Sequence, residues 1–348
     1  MAASSWSSHL QQAWLSRRDP LAQALWPLSL LFAALVAGRR ALHRSGLLHV
    51  ERVGLPVIVV GNRIVGGAGK TPTVLALLQH LRERGARPGV ISRGYGRQGA
   101  GLTEVTRNSS AQEVGDEPLL IHLRGGVPVM VGRDRVAAAE ALRTAHPEIT
   151  VIVSDDGLQH LRLARDIEVL VFDERGAGNG WLLPAGPLRE PLQATSTAHT
   201  QLVLYNAAAP STALAGKLAL RRLAGIAPLT QWWAGQAPQG FEVLGSRKLL
   251  ALAGMARPER FFASLREAGL SFDALPLPDH YDYRRLPWPQ DATDVLITEK
   301  DAVKLDPARL ASESPSTRVW VVTLDFDPGA AFFAALDAAL NNAPTPSA

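Results

Sequence analysis

The sequence predicts an α/β protein: a doubly wound, mostly parallel sheet, preceded by an apolar helix and followed by a second, smaller α/β domain. Three observations carry this. Short β-branched runs alternate with segments of helical spacing between residues 51 and 206, and the alternation resumes after an Ala/Pro/Ser-rich break at 207–217. Near the start, Leu21 to Ala37 is apolar apart from Gln23 and Ser29. The expected divisions are an N-terminal membrane-associating region (1–50), a core (51–206), a smaller α/β domain (207–340) and a disordered tail (341–348).

The first element is the apolar stretch. Its 17 residues reach the lower limit for a spanning helix, roughly 17–25 residues, and Pro27 interrupts it. A buried core helix and a membrane anchor or interfacial helix both fit the composition. The anchor is favoured by Trp6, Trp14 and Trp26 and by the flanking arginines, residue types suited to a headgroup boundary. Residues 1–50 hold Arg17, Arg18, Arg39, Arg40 and Arg44 against Asp19, so the whole net charge of +4 lies here and the rest sums to zero. An excess beside an apolar run points to a membrane surface, whereas a nucleic-acid enzyme carries its positive charge on the folded body.

Strands are expected at 55–60, 89–92, 128–131, 150–154 and 167–172, with helices at 72–84 and about 133–145. The later domain offers strands at 248–254, 294–298 and 319–324 and a helix at 258–268. Ligands of such sheets sit at the carboxyl ends of the strands. There the sequence places Gly66-Gly67-Ala68-Gly69-Lys70-Thr71, between a strand and a helix. Glycines let backbone N–H groups curl round phosphate oxygens, Lys70 reaches the β- and γ-phosphates, and Thr71 offers a hydroxyl to Mg²⁺. This P-loop NTPase-like arrangement implies ATP and Mg²⁺, with residues 64–71 (Ile64, Val65, Gly66, Gly67, Ala68, Gly69, Lys70, Thr71) as the nucleotide site. The customary first glycine is replaced by Ile64, so the loop is a variant. Val151 to Asp156 supplies the second carboxylate site of a P-loop, with Asp155 the chosen metal ligand over Asp156.

Other clusters leave alternatives open. Asp116 fits a helix N-cap or a catalytic base. Arg93, Tyr95 and Arg97 suit an anionic substrate or a solvated turn, Arg189-Glu190 a phosphate clamp or a surface pair, His280 a structural or a chemical role. Thr298 reads as a capping threonine. The absence of cysteine excludes disulfides, thiolate metal sites and cysteine nucleophiles.

Together these motifs resemble the tetraacyldisaccharide 4′-kinase (lipid A 4′-kinase) family of Gram-negative bacteria. They run in order: Val-Gly-Asn at 60–62, Val-Gly-Gly-Ala-Gly-Lys-Thr-Pro at 65–72, Ser-Arg-Gly-Tyr-Gly-Arg at 92–97, Gly-Asp-Glu-Pro at 115–118 and Asp-Asp-Gly-Leu-Gln-His at 155–160. Pro-Ala-Gly-Pro-Leu-Arg-Glu at 184–190, Asp-His-Tyr at 279–281 and Thr-Glu-Lys-Asp-Ala-Val-Lys at 298–304 complete them. In this family the Ile64 position is commonly a small hydroxyl residue. The resemblance implies transfer of the ATP γ-phosphate to the 4′-hydroxyl of an acylated glucosamine disaccharide 1-phosphate, giving lipid IVA, at the cytoplasmic face of the bacterial inner membrane. It implies Asp116 as base with His280 in support; a carboxylate near transferring phosphates is expected to have a raised pKa, which a protonatable histidine would help tune. It also implies charge neutralisation by Lys70 and Arg189, metal contacts from Thr71, Asp155 and more weakly Glu190, and head-group contacts from Arg93 and Tyr95. Partners are the lipid substrate and the membrane surface, with neither nucleic acid nor an obligate protein. The rivals are a soluble small-molecule kinase, for which deletion of residues 1–45 leaves activity on a water-soluble acceptor intact, and a nucleotide-switch ATPase. Many switch ATPases carry lysine where this chain has Val65.

Overall fold

The computed structural model describes residues 9–343; Trp6 and residues 344–348 lie outside the described residues. The chain divides into two compact units, each discontinuous in sequence. One comprises residues up to Arg93, Asp134–Leu220 and the segment from Pro328; the other comprises Gly94–Arg133 and Arg221–Asp327. The expected division at 206/207 is thereby corrected. Residues 94–133 pack with the later domain, and the last helix, Ala330–Asn341, returns to the first.

In the first unit, strands run in the order Pro88–Ser92, Val151–Asp155, Val57–Gly61, Ile167–Asp173, Thr200–Asn206, Lys217–Leu218. Every pairing among them is parallel. The strand before the glycine loop is central and buried along its length, as a β-branched run with both faces covered should be. Its register sets Val60 opposite Asp155, so the loop and the paired aspartates emerge at one edge of the sheet. Helix Lys70–Glu83 buries Val74, Leu77, Leu78 and Leu81, the four positions its spacing predicts. Each is worth about 1.5–3 kcal/mol of apolar transfer. His80 on this helix contacts Asp337 at 2.9 Å and stacks on Phe333 with ring centroids 4.2 Å apart, which fastens the last helix to the first unit.

The N-terminal helix is longer than its apolar run, Pro20–Arg44. Asp19 starts it: Oδ1 accepts from the N–H groups of Leu21 and Ala22, and Pro20 takes the first position, where its missing N–H costs nothing. A core helix would bury an apolar stripe. This one buries Ala22 and Ser29 and exposes Leu28, Leu30, Leu31 and Leu35, so the core-helix alternative falls. It is long and apolar enough to cross a membrane.

In the second unit, strands run Asp273–Pro276, Leu249–Ala253, Asp294–Thr298, Arg318–Asp327, Leu220–Pro228. Helix Pro258–Glu267 seats Phe261, Phe262 and Leu265 in the core with Leu249, Leu296 and Trp320. Helix Asp116–Gly125 is held to the turn Glu299–Ala302 by Arg124–Glu299 at 3.1 Å and Lys300–Glu117 at 3.4 Å. The strands 200–206, 220–228 and 273–276 and the last helix are not among the elements expected from the sequence.

Leu77→Ala should cost about 2–5 kcal/mol of the stability of the first unit, the range for a fully buried leucine. Chemical denaturation followed by circular dichroism would read the shift in midpoint.

Candidate active site

The cradle at 66–71 is shaped by what restrains its carbonyl groups. Asn62 Nδ2 donates to the Gly66 carbonyl at 2.8 Å. Arg175, gripped by Asp173 at 2.9 Å, donates to the carbonyls of Val65 and Gly67 at 3.1 and 3.0 Å. Asn206 donates to Ala68 at 3.3 Å. With the oxygens drawn away, the amides are left for an anion, and the start of helix Lys70–Glu83 adds its positive dipole end. Gly69 has a φ of +95°, and a Cβ there would stand 2.3 Å from Asn206 Nδ2. Only glycine fits.

Ile64 is fully buried and bridges Leu188 in antiparallel pairing. Val65 donates its N–H to Pro187 and Arg189 donates to the Arg63 carbonyl. The Pro-rich loop 184–190 is therefore paired with the approach to the cradle, and an apolar side chain at 64 serves packing.

Lys70 Nζ lies 3.7 Å from Asp156 Oδ1, and Arg189 Nη1 lies 3.3 Å from the same oxygen. Asp156 holds a left-handed φ of +47°, which turns its carboxylate toward these cations. Asp155 is buried on the strand end, accepting from Ser92 Oγ at 3.2 Å. Arg135 is also buried here. Burial lowers its pKa to about 10 against the pull of Asp155 and Asp156, with Arg93 lowering it further. Burial, with Arg135 beside it, brings His160 down to about 4. The neutral ring accepts the Arg135 N–H at 3.3 Å through Nε2.

Glu190 is placed differently from expectation. Arg40 holds one carboxylate oxygen at 2.6 Å, Gln159 donates to the other at 3.2 Å, and Arg63 lies 4.0 Å away. Those partners make it an anchor between the loop and the N-terminal helix.

In the second unit Asp116 Oδ2 meets His280 Nδ1 at 2.9 Å. The N-cap alternative for Asp116 falls, because Gly115 is the cap and Asp116 the first helical residue. His280 takes a left-handed φ of +57° and donates its N–H to the Gly254 carbonyl. Lys300 Nζ lies 3.5 Å from His280 Nε2, and the Tyr95 ring lies 5.7 Å from the imidazole. Burial pushes the Asp116 carboxyl up, but the His280 hydrogen bond and the charges of Lys300, His280 and Lys304 outweigh it, leaving the pKa below the usual carboxylate range. The direction is opposite to the raised value expected of a carboxylate near transferring phosphates, because the His280 hydrogen bond and the two lysines outweigh burial. His280 is raised by its bond to Asp116 against the opposing effects of burial and Lys300. Thr298 caps its helix as predicted, accepting from the Asp301 N–H, and Asp301 in turn fixes Lys304 at 3.1 Å.

Asp173, Arg175, Asn206, Arg135 and Lys300 were not singled out from sequence for these places. Asp173 carried a signal, being an acid at the carboxyl end of the strand beside the loop strand; Arg175 follows two residues on.

A phosphate cradle on a central parallel strand, with a cationic tip and carboxylates on the neighbouring strand, defines a P-loop phosphoryl-transfer protein. The sequence profile of the tetraacyldisaccharide-1-P 4′-kinase family matches residues 21–341. The chain belongs to that family. It is 59% identical over 334 residues to the tetraacyldisaccharide 4′-kinase of Methylibium petroleiphilum (95% of this chain, 93% of the relative). It is 55% identical over 337 residues to that of Leptothrix cholodnii (96% of each). The solved structure of LpxK from Aquifex aeolicus in complex with ATP superposes with a TM-score of 0.75 at 27% identity, covering 92% of this chain and 99% of that one.

Gly69→Ala should abolish nucleotide binding while the protein stays folded, because the added methyl collides with Asn206. Titration calorimetry with ATP would check it; wild-type affinity would refute the steric account. His280→Ala removes the hydrogen bond that does most to hold the Asp116 carboxyl down, while burial, Lys300 and Lys304 remain. The acidic limb of the kcat/KM profile should then move to higher pH, as measured across pH 4–8 (roughly the range where carboxylates and histidine titrate).

Proposed function

We infer that this chain is an ATP-dependent kinase of lipid A biosynthesis, transferring the γ-phosphate of ATP to the 4′-hydroxyl of a tetraacylated glucosamine disaccharide 1-phosphate. The observation that carries the reading is the family match over residues 21–341, together with a formed cradle at 66–71.

Residue roles follow from local chemistry. The backbone of 66–71 receives the phosphates, and Lys70, released from Asp156, neutralises charge on the β- and γ-phosphates. Arg189, held within reach of Asp156 and Gln159 at 3.3 Å, offers a second cation. Thr71 and Asp155 would hold Mg²⁺. The donor chemistry fits: a hydroxyl and a carboxylate suit a hard cation, and Mg²⁺ commonly binds one or two carboxylates plus substrate phosphates. When bound, the ion spreads the charge of the transferring phosphoryl group. Glu190 serves the loop through Arg40 and Gln159 in place of the metal.

Asp116 takes the proton of the acceptor hydroxyl. Its carboxylate is ionised at neutral pH, and His280 orients it through Oδ2, leaving Oδ1 for the hydroxyl. Lys300 fixes the imidazole from its other side. Arg93 and Tyr95 meet the sugar-phosphate head group; both are exposed, and Tyr95 lies beside His280. The acyl chains of the substrate stay in a bilayer, which supports a membrane-surface enzyme. The exposed leucines and Trp26 of helix Pro20–Arg44 would enter the cytoplasmic leaflet of the bacterial inner membrane, with the arginines at the headgroups.

Incubation with labelled ATP and the tetraacyl disaccharide monophosphate should label the lipid. Lys70→Ala should lower kcat by about 10²–10³-fold or more, as loss of a charge-stabilising donor does. Asp116→Ala should lower it by roughly 10²–10⁴-fold, as loss of a general base does. Undiminished transfer by Asp116→Ala would remove the base assignment and leave the kinase reading standing.

A further inference from the structure

The N-terminal helix is bound to the Pro-rich loop at more points than an anchor needs. Ser29 Oγ donates to the Leu182 carbonyl at 2.8 Å and accepts the Ala185 N–H at 2.9 Å. Trp14, just before the helix, donates Nε1 to the Pro184 carbonyl at 2.8 Å, and Trp26 packs on Trp181. At the far end Arg40 bonds Glu190 at 2.6 Å and also donates to the Thr195 carbonyl. Glu190 is buried, and Gln159 spans from it to Arg189 by donating to Glu190 and accepting from Arg189 Nη1 at 3.3 Å. Arg40 is itself mostly buried. A cation needed only at a headgroup surface would be solvated, and an exposed ion pair would contribute little.

We propose that helix Pro20–Arg44 sets the position of Arg189 in the phosphate site, with Arg40 as the positioning residue acting through Glu190 and Gln159. This rests on the reading of Arg189 given above. The helix is then a working part of phosphoryl transfer as well as of the lipid-facing surface, and its two duties fall on different residues. The exposed leucines meet lipid, while Ser29 and Arg40 face the loop.

The test uses the full chain with Arg40→Met, Arg40→Lys, Glu190→Gln and the double variant Arg40→Met/Glu190→Gln. Activity is measured on substrate in detergent micelles, and binding is measured by sedimentation with phosphatidylethanolamine–phosphatidylglycerol vesicles. Arg40→Met should lower kcat by about 10–100-fold, the penalty for sub-ångström to ångström misplacement of a reacting group. The lipid KM and vesicle binding should stay at wild-type values. Arg40→Lys, which keeps the charge and so the fold, should recover part of kcat, because one ammonium serves Glu190 less well than a guanidinium that also reaches Thr195. The Arg40→Met effect should shrink in the Glu190→Gln background, since both act on one chain of contacts. Wild-type kcat in Arg40→Met overturns the proposal. So do full additivity in the cycle and a loss of vesicle binding with kcat in micelles unchanged. An inert wild-type enzyme would instead overturn the kinase reading itself.

Discussion

The phosphate cradle works only because its carbonyl oxygens are occupied elsewhere. A loop of consecutive amides can face an anion only if the oxygens between them are turned away and satisfied, since an unpaired buried carbonyl is costly. Here Asn62, Arg175 and Asn206 take that load, and Arg175 is itself pinned by a carboxylate at the end of the adjacent strand. Each partner comes from a different strand end, so the parallel order of the sheet is what delivers them to one place. The absence of glycine at position 64 fits the same logic, because the chain there is fixed by pairing with Leu188 and needs no unusual φ.

Charge is managed in a similar way within each unit. In the first unit, cations and carboxylates are set against one another without a ligand: Lys70 and Arg189 share Asp156, and Arg135 is buried beside Asp155 and Asp156. An incoming polyphosphate can take over cations that a single carboxylate holds at 3.3–3.7 Å. In the second unit, the His280 hydrogen bond, with Lys300 and Lys304 behind it, holds a largely buried carboxylate below its usual pKa against the opposing effect of burial. In the proposed role of base such a carboxylate would be weak but always available, which would suit a reaction whose transition state places little demand on proton removal.

Much of this was legible in the sequence, for reasons that differ by residue. Residues 57–83 announce themselves because strand, loop and helix are contiguous and each obeys a local rule. The aspartates at 155 and 156 follow from their place at a strand end. The bond between Asp116 and His280 spans 164 residues, and no spacing could reveal it; the family resemblance did. The direction of the Asp116 pKa was misread because Lys300 and Lys304 belong to a motif that, taken locally, is only a capped helix start. The Arg40–Glu190 pair spans 150 residues and involves a segment whose composition signals lipid, so no local pattern marks it. The unit boundary was misplaced because a composition break at 207–217 marks a connection, whereas residues 94–133 change units without any such mark.

The discontinuity of both units bears on biosynthesis. The segment 94–133 emerges from the ribosome almost ninety residues before the rest of its unit begins at Arg221. The first unit, for its part, waits for Ala330–Asn341 to supply the Phe333 ring and the Asp337 carboxylate against His80. Each unit therefore depends on contacts between segments far apart in sequence.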